Sequence, residues 1–488
     1  MGKARWAAGM ACVVVLGAGI GTSTSVRADR PAEKLSAESP ADARTGTKVT
    51  PPSGYSLGQG GPDRLHPVDP AALPLPARSP QAPAPTAQGI GARLAPLLRD
   101  PALGGRVGVV VVDGSNGSTV YADRGTVPLT PASATKLITA AAVTSVVPAG
   151  TTLDTRVVRG RAPHQIVLVA GGDTLLAPGA GSPDKIAGRA GLADLADQVA
   201  QTLRSTPDGQ QTPVTLAVDE GSLAGPRIDP SWDPGDVRSG YAGAVTPLNL
   251  TTYRPREGGP AGPADPTLAT ATALKAALTN RGITVTGPIT RTAAATDAEQ
   301  LGLVRSAPVT EQLALALTES DNTLTAALAR IGAVKAGVSP TFSAVAEWIT
   351  RRMGELGLPA EGLRVVDASG LAAGTTATAA TMAATVARGT TGASPELSRV
   401  IAGLPVAGLT GTLAARFAGP ESRNGVGLVR AKTGTLTGVS SLAGTVVDAD
   451  GRLLVFATLA DKVPASGTQE ARAALDRIAA ALADCGCR

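Results

Sequence analysis

Strand-forming runs stand at both ends of the apolar part of this chain, and a helical block separates them. Near the start, Arg106–Val112 is β-rich, Asp113-Gly-Ser-Asn-Gly117 is a turn signal, and Ser118–Ala122 returns to strand character. Near the end, Arg430–Thr435, Val439–Val447 and Leu453–Leu459 read as strands, and Asp448-Ala-Asp-Gly451 joins the last two as a hairpin turn. Two or three short strands cannot bury an apolar face by themselves. The pattern therefore predicts one antiparallel sheet assembled from both ends of the chain, in an α+β fold with helices packed on it. Helical periodicity runs over about Ala132–Val146, Thr310–Thr318, Thr323–Val334, Phe342–Leu356, Ala377–Ala387, Glu396–Ala402 and Thr468–Ala483.

Residues 149–300 break this pattern. They hold short β-rich pieces (Gln165–Ala170, Val214–Val218, Thr284–Ile289) and helical stretches near Leu192–Leu203 and Thr267–Asn280. They read as a second domain inserted into the first, which would comprise 89–148 and 301–488. Residues 29–88 carry 12 prolines in 60 positions without apolar periodicity, the pattern of an extended, disordered linker. Residues 1–28 read as a secretory signal peptide. Lys3 and Arg5 precede the 14 apolar or small residues Ala7–Ile20, and Val26-Arg27-Ala28 resembles a cleavage site. The run is shorter than the ~20 residues of a membrane span. Retention as an anchor stays open; after cleavage no stable membrane span is expected, and the protein would act outside the cytoplasm.

Composition narrows the chemistry. His66 and His164 are the only histidines, so a multi-histidine metal site is ruled out, and a Ser-His-Asp hydrolase would need one of these two. His164 borders a strand of the insert and reads as structural. The three cysteines have no zinc or iron–sulfur spacing. Of these, Cys485 and Cys487 could bridge only through a tight loop, so a frayed tail is expected. The net charge of +5 falls to +2 without Lys3, Arg5 and Arg27, and aromatics are 2%. Neither number suits a nucleic-acid partner. Nine lysines against 35 arginines make a lysine at a motif position informative.

Three short patterns stand in order. The first is Ser133-Ala-Thr-Lys136, where a helical spacing of three brings Ser133 Oγ and Lys136 Nζ onto one face. The helix start favours negative charge developing on the serine. A free lysine is protonated at neutral pH; burial beside a second cation would turn it into a base. The third pattern, Lys432-Thr-Gly-Thr435 on a predicted strand, supplies that cation. Gly434 lets the backbone approach a ligand, the N–H groups of Ser133 and Thr435 can form an oxyanion hole, and the hydroxyls of Thr433 and Thr435 can hold a carboxylate. The second pattern, Ser320-Asp-Asn322, lies between two helices. Ser320 can relay a proton from Lys432, and Asn322 can orient Lys136 and a substrate amide. Two look-alikes read as structural: Ser182-Pro-Asp-Lys185 as a helix cap, and Ser422-Arg-Asn-Gly425 as a turn.

Ordered this way, the patterns resemble the penicillin-recognising serine enzymes. Within them the chain is most similar to the D-alanyl-D-alanine carboxypeptidase/endopeptidase family of DacB-type, low-molecular-mass penicillin-binding proteins, over roughly 90–485. Gly171-Gly-Asp-Thr-Leu175 resembles that family's Gly-Gly-Asp-Pro-Thr-Leu element, without its proline. Asp367-Ala-Ser-Gly-Leu371 resembles its Asp-Gly-Ser-Gly-Leu, and Leu404-Pro-Val-Ala-Gly408 through Leu413 resembles the run before the lysine strand. Asp173 and Asp367 read as turn formers. Trp232 and Tyr241 read as fold support or as cleft-mouth residues.

The resemblance implies a β-lactamase/transpeptidase-like antiparallel sheet flanked by helices, with an insert between the first two motifs. The 187 positions from Ser133 to Ser320 exceed what class A β-lactamases need, and their Glu-x-x-Leu-Asn is missing between the second and third motifs. The implied roles are Ser133 as nucleophile, Lys136 as base and Ser320 as relay. Asn322, Lys432, Thr433, Gly434 and Thr435 would bind substrate. The substrate would be the peptidoglycan stem peptide, with β-lactams as covalent inhibitors and no metal or cofactor required. A β-lactamase or esterase using the same triplet, or a non-catalytic wall-binding sensor, are the alternatives.

Overall fold

The computed structural model describes Ser79 and residues 82–205, 212–223 and 225–488, all within one compact unit, Leu65–Arg488. The expected signal peptide and most of the expected linker lie outside the described residues. Among the described residues, ten strands form two sheets: β1 (Val107–Asp113), β2 (Thr119–Asp123), β3 (Asp154–Arg159), β4 (Gln165–Ala170), β5 (Val214–Asp219), β6 (Val285–Arg291), β7 (Gln300–Arg305), β8 (Val429–Leu436), β9 (Val439–Val447) and β10 (Leu453–Ala460).

The main sheet has the order β2-β1-β10-β9-β8 and is antiparallel throughout. Its two halves meet where β1 pairs with β10, from Val107 opposite Ala460 to Asp113 opposite Leu454. All seven residues of β1 are buried. Strand alternation sends Val110 and Val112 into one apolar cluster and Val107, Val109 and Val111 into another. The first cluster is completed by the helices Thr135–Thr144, Val309–Glu319, Asn322–Lys335 and Ala379–Thr390. The second is completed by Ala87–Leu94 and Thr468–Ala483. Helices thus cover both faces, which explains why β1, β9 and β10 are buried at every position. Among the described residues, no helix is long and apolar enough to cross a membrane.

The second sheet, β6-β5-β4-β3-β7, has its own apolar core. Parallel pairing of β4 with β5 and of β5 with β6 requires crossovers, supplied by the helices Leu192–Arg204 and Pro266–Thr279. The sequence pattern shows neither β3 nor β7, because polar and charged residues (Asp154, Arg156 and Arg159 in β3, Gln300 and Arg305 in β7) leave too short an apolar run. β7 runs to Arg305, so this sheet reaches beyond position 300. Buried Arg330 fastens the segment to the main body. It donates from Nη1 to Val245 O at 3.0 Å and from Nη2 to Leu223 O at 2.9 Å, and it sits 4.9 Å from the Phe342 ring centre.

Three expectations need correction. The packed body starts before residue 89: Thr86 Oγ1 caps the helix Ala87–Leu94 by accepting from Gly89 N, and Ala82 is buried. Prolines 83 and 85 hide this because an extended, aperiodic segment can dock through its backbone. The C-terminal tail is not frayed. Cys485 is buried in the second cluster and is disulfide-bonded to Cys487, whose carbonyl accepts from Thr86 N at 2.6 Å. Finally, Ser182 caps no helix; residues 182–185 form an exposed turn closed by Lys185 N donating to Ser182 O.

Candidate active site

Ser133 lies in a one-turn 3-10 segment, Ala132–Ala134, that leads into the helix Thr135–Thr144. Ala132 takes a left-handed φ of 48° just before it. Such a turn persists only if its surroundings hold it. Ser441 Oγ on β9 donates to Pro131 O at 2.7 Å, and Thr135 Oγ1 donates to Ala132 O at 2.7 Å. Gly370 and Gly434 press on the same turn, and a Cβ on either would collide with the Pro131 or Ala132 backbone. The following helix is buried at all ten positions, so its positive end is fixed beneath Ser133.

One turn later, fully buried Lys136 reaches back. Its Nζ lies 3.0 Å from Ser133 Oγ, 2.6 Å from Asn322 Oδ1 and 2.9 Å from Ser369 O. Ser320 ends the helix Val309–Glu319 in a left-handed conformation (φ 58°, ψ 34°), and Asp321 caps the next helix through Leu324 N. This reversal brings Ser320 and Asn322 to the same place from two different helices. Asn322 Nδ2 donates to Tyr241 O at 2.8 Å, which leaves its second hydrogen for a ligand.

Lys432 on β8 is also fully buried. Its Nζ lies 3.0 Å from Ser320 Oγ and 2.8 Å from Thr433 O. β8 is the edge strand of the main sheet. Ala431 N donates outward to Pro405 O, away from β9, so strand alternation puts the N–H groups of Thr433 and Thr435 on that same open edge. Thr433 Oγ1 donates to Thr412 Oγ1 at 2.9 Å, and Arg472 Nε donates to Thr435 Oγ1 at 3.4 Å. Among the described residues, the Arg472 guanidinium has no carboxylate within ion-pair distance. A cleft of about 1000 Å³ opens over Ser133, Ser320, Asn322, Thr433 and Thr435, with Tyr241 on its wall.

Burial dominates the electrostatics. It lowers Lys136 to a pKa of about 8, against the opposing pull of Asp367 and Asp321. Burial also holds Lys432 well below the usual lysine range, and the charge of Lys136 adds to the effect. The cation–cation repulsion expected to depress Lys136 therefore falls chiefly on Lys432.

Groups outside the three motifs finish the coordination: the carbonyls of Ser369 and Tyr241, the Thr412 hydroxyl and the Arg472 guanidinium. Main-chain carbonyls carry no residue signature. The Asp367-Ala-Ser-Gly-Leu371 element was the available signal for the first. Asp367 does form its turn, accepting from Ser369 N at 3.0 Å and Ala372 N at 3.1 Å. Asp173 forms another, accepting from Leu175 N at 2.8 Å.

The profile of the D-Ala-D-Ala carboxypeptidase 3 (S13) family matches residues 90–257 and 262–482, which include all three patterns. The chain belongs to this family. It is a DacB-type serine peptidase with the β-lactamase/transpeptidase-like fold. It is 33% identical over 417 residues to a carboxypeptidase of Mycobacterium tuberculosis, an overlap of 83% of this chain and 85% of that one. It is also 33% identical over 432 residues to carboxypeptidase DacB of Mycolicibacterium smegmatis, covering 86% and 88%. Among solved structures, penicillin binding protein 4 (dacB) of Haemophilus influenzae superposes with a TM-score of 0.63 at 16% identity. That superposition covers 80% of this chain and 97% of the other, a likeness of fold.

Proposed function

We propose that this family member hydrolyses the bond between the last two D-alanines of peptidoglycan stem peptides through an acyl-enzyme on Ser133. The coordination of one amine carries the reading. A neutral amine has two hydrogens and one lone pair. Around Lys136 Nζ, Asn322 Oδ1 and Ser369 O are fixed acceptors and take the hydrogens, so the lone pair faces Ser133 Oγ at 3.0 Å.

As Ser133 Oγ attacks the scissile carbonyl, its proton passes to Lys136. The N–H groups of Ser133 and Thr435 receive the oxyanion. When the C–N bond breaks, the departing amine takes a proton from Ser320, which is resupplied by Lys432. Burial disfavours the charged form of Lys432 in the free site; the substrate carboxylate, arriving at Thr433 and Thr435, favours that form and so primes the donor. Water then cleaves the ester: its oxygen joins the acyl carbon, its proton refills the Ser320–Lys432 pair that gave one to the leaving amine, and Ser133 regains its own proton from Lys136. Gly434 allows β8 to lie this close to the serine turn. Arg472 adds charge at the carboxylate end of the cleft.

A cross-link ending on a D-centre with a free carboxylate offers the same groups, so endopeptidase cleavage fits the same cleft. β-Lactams acylate the same oxygen. This substrate places the protein outside the cytoplasm, with 1–28 as its export signal. The catalytic domain is then formed from the two stretches flanking the insert. Intact-mass analysis after incubation with penicillin, peptide mapping of the adduct, and D-alanine release from a stem pentapeptide test the reading. The expected result is a single adduct on Ser133 and no adduct on Ser133→Ala. An adduct on another residue, or fast β-lactam turnover without D-alanine release, refutes it.

A further inference from the structure

The inserted segment reaches the candidate site at two points. Trp232 Nε1 donates to Asp367 Oδ2 at 3.0 Å, with both side chains buried. Nine residues on, Tyr241 O accepts from Asn322 Nδ2 at 2.8 Å. Close by, Gly243 N donates to Thr323 Oγ1 at 2.9 Å. The first contact ends on the turn that presents the Ser369 carbonyl; the second ends on the amide that presents Asn322 Oδ1. These are the two acceptors for the hydrogens of Lys136.

The Asp367 turn does not need the indole to close. Ser369 N, Ser369 Oγ and Ala372 N already donate to its carboxylate. The indole N–H comes from 135 positions away and could be satisfied by any carbonyl; it is spent instead on the carboxylate behind the catalytic amine. Its ring is kept in place by Phe342, at 6.1 Å between centroids.

We propose that the inserted segment is a positioning device for Lys136, with Trp232 and the Tyr241 backbone as struts that set the two acceptors around its amine. The inference rests on the reading of Ser133 as the acylated residue. The charged groups facing Lys136 are Asp367 from the turn, Asp321 from the helix junction and Lys432 from β8. Asp229 stands near Asp367, with Arg330 near Asp229. The indole hydrogen bond offsets part of the Asp367 charge. Removing it strengthens the pull of Asp367 on the Lys136 proton, so less of the amine is free to act as base at a given pH.

The test is the rate of Ser133 acylation by a fluorescent penicillin across pH 6 to 10, in the full chain and in Trp232→Phe. The variant's acid limb should move up by about half to one pH unit, slowing acylation at neutral pH roughly three- to tenfold, while the rate on the alkaline plateau returns to that of the wild type. Ser369→Ala removes a different donor to the same carboxylate; it should shift the limb in the same direction and serves if Trp232→Phe does not fold. A uniform loss at every pH, or an unmoved limb in both donor variants, overturns the inference and leaves the acylation reading intact. Absence of wild-type acylation at Ser133 overturns both.

Discussion

Raising the pH from 7 to 9 should accelerate acylation of Ser133 about tenfold. The magnitude follows from Lys136. Its folded pKa of about 8 means that roughly a tenth of the amine is neutral at pH 7 and roughly nine-tenths at pH 9. Below the midpoint the rate should climb about tenfold per pH unit, and above it the profile should level off. The amine is coupled to Lys432 through charge, so the apparent midpoint belongs to the pair of lysines. Stopped-flow acylation with a fluorescent penicillin, at fixed ionic strength, reads this limb directly. A profile that is flat from pH 6 to 9, or one with its midpoint at the ordinary lysine value of 10.5, would refute the lone-pair argument.

Further outcomes follow from the same geometry. Arg472→Gln should raise KM for a D-Ala-D-Ala substrate about tenfold, by losing a charged contact. It should also narrow the preference for a free C-terminal carboxylate over the amide; an unchanged preference places Arg472 outside recognition. Gly434→Ala should abolish acylation and lower Tm, because its Cβ would enter the space of Pro131 O and Ser441 Oγ; wild-type activity would show that β8 does not need this closeness. Stability should depend on pH through Lys136. The folded amine binds its proton less tightly than the unfolded one, so the cost of burying its charge is full below pH 8 and disappears as pH rises toward 10.5. Denaturation of wild type and Lys136→Met should therefore diverge by roughly 3 kcal/mol in the way they change across that window. A constant difference would mean that the amine titrates alike in both states.

Much of this architecture is legible in the residue order. The β-rich runs near 107–113 and 429–460 pair as their alternation and turn chemistry require, and the closing helix covers Thr468–Ala483 as its periodicity predicts. Both are local properties: a two-residue or 3.6-residue repeat is written in consecutive side chains. The helical spacing of Ser133 and Lys136 is local too, which is why a contact at 3.0 Å could be anticipated. β3, β7 and the docking of residues 82–86 and 485–487 are not local. Their partners are distant in sequence, and their own residues are too few or too polar to show a period.

What residue order alone determined, then, is which atoms could do chemistry: a serine, two rare lysines and an amide at motif spacings. Tertiary structure decided the state of those atoms. Whether Lys136 is an ordinary ammonium or a base depends on its complete removal from water and on two oxygens, Asn322 Oδ1 and the Ser369 carbonyl, brought in from 186 and 233 positions away. Burial and the direction of a lone pair are properties of packing, and no stretch of neighbouring residues encodes them.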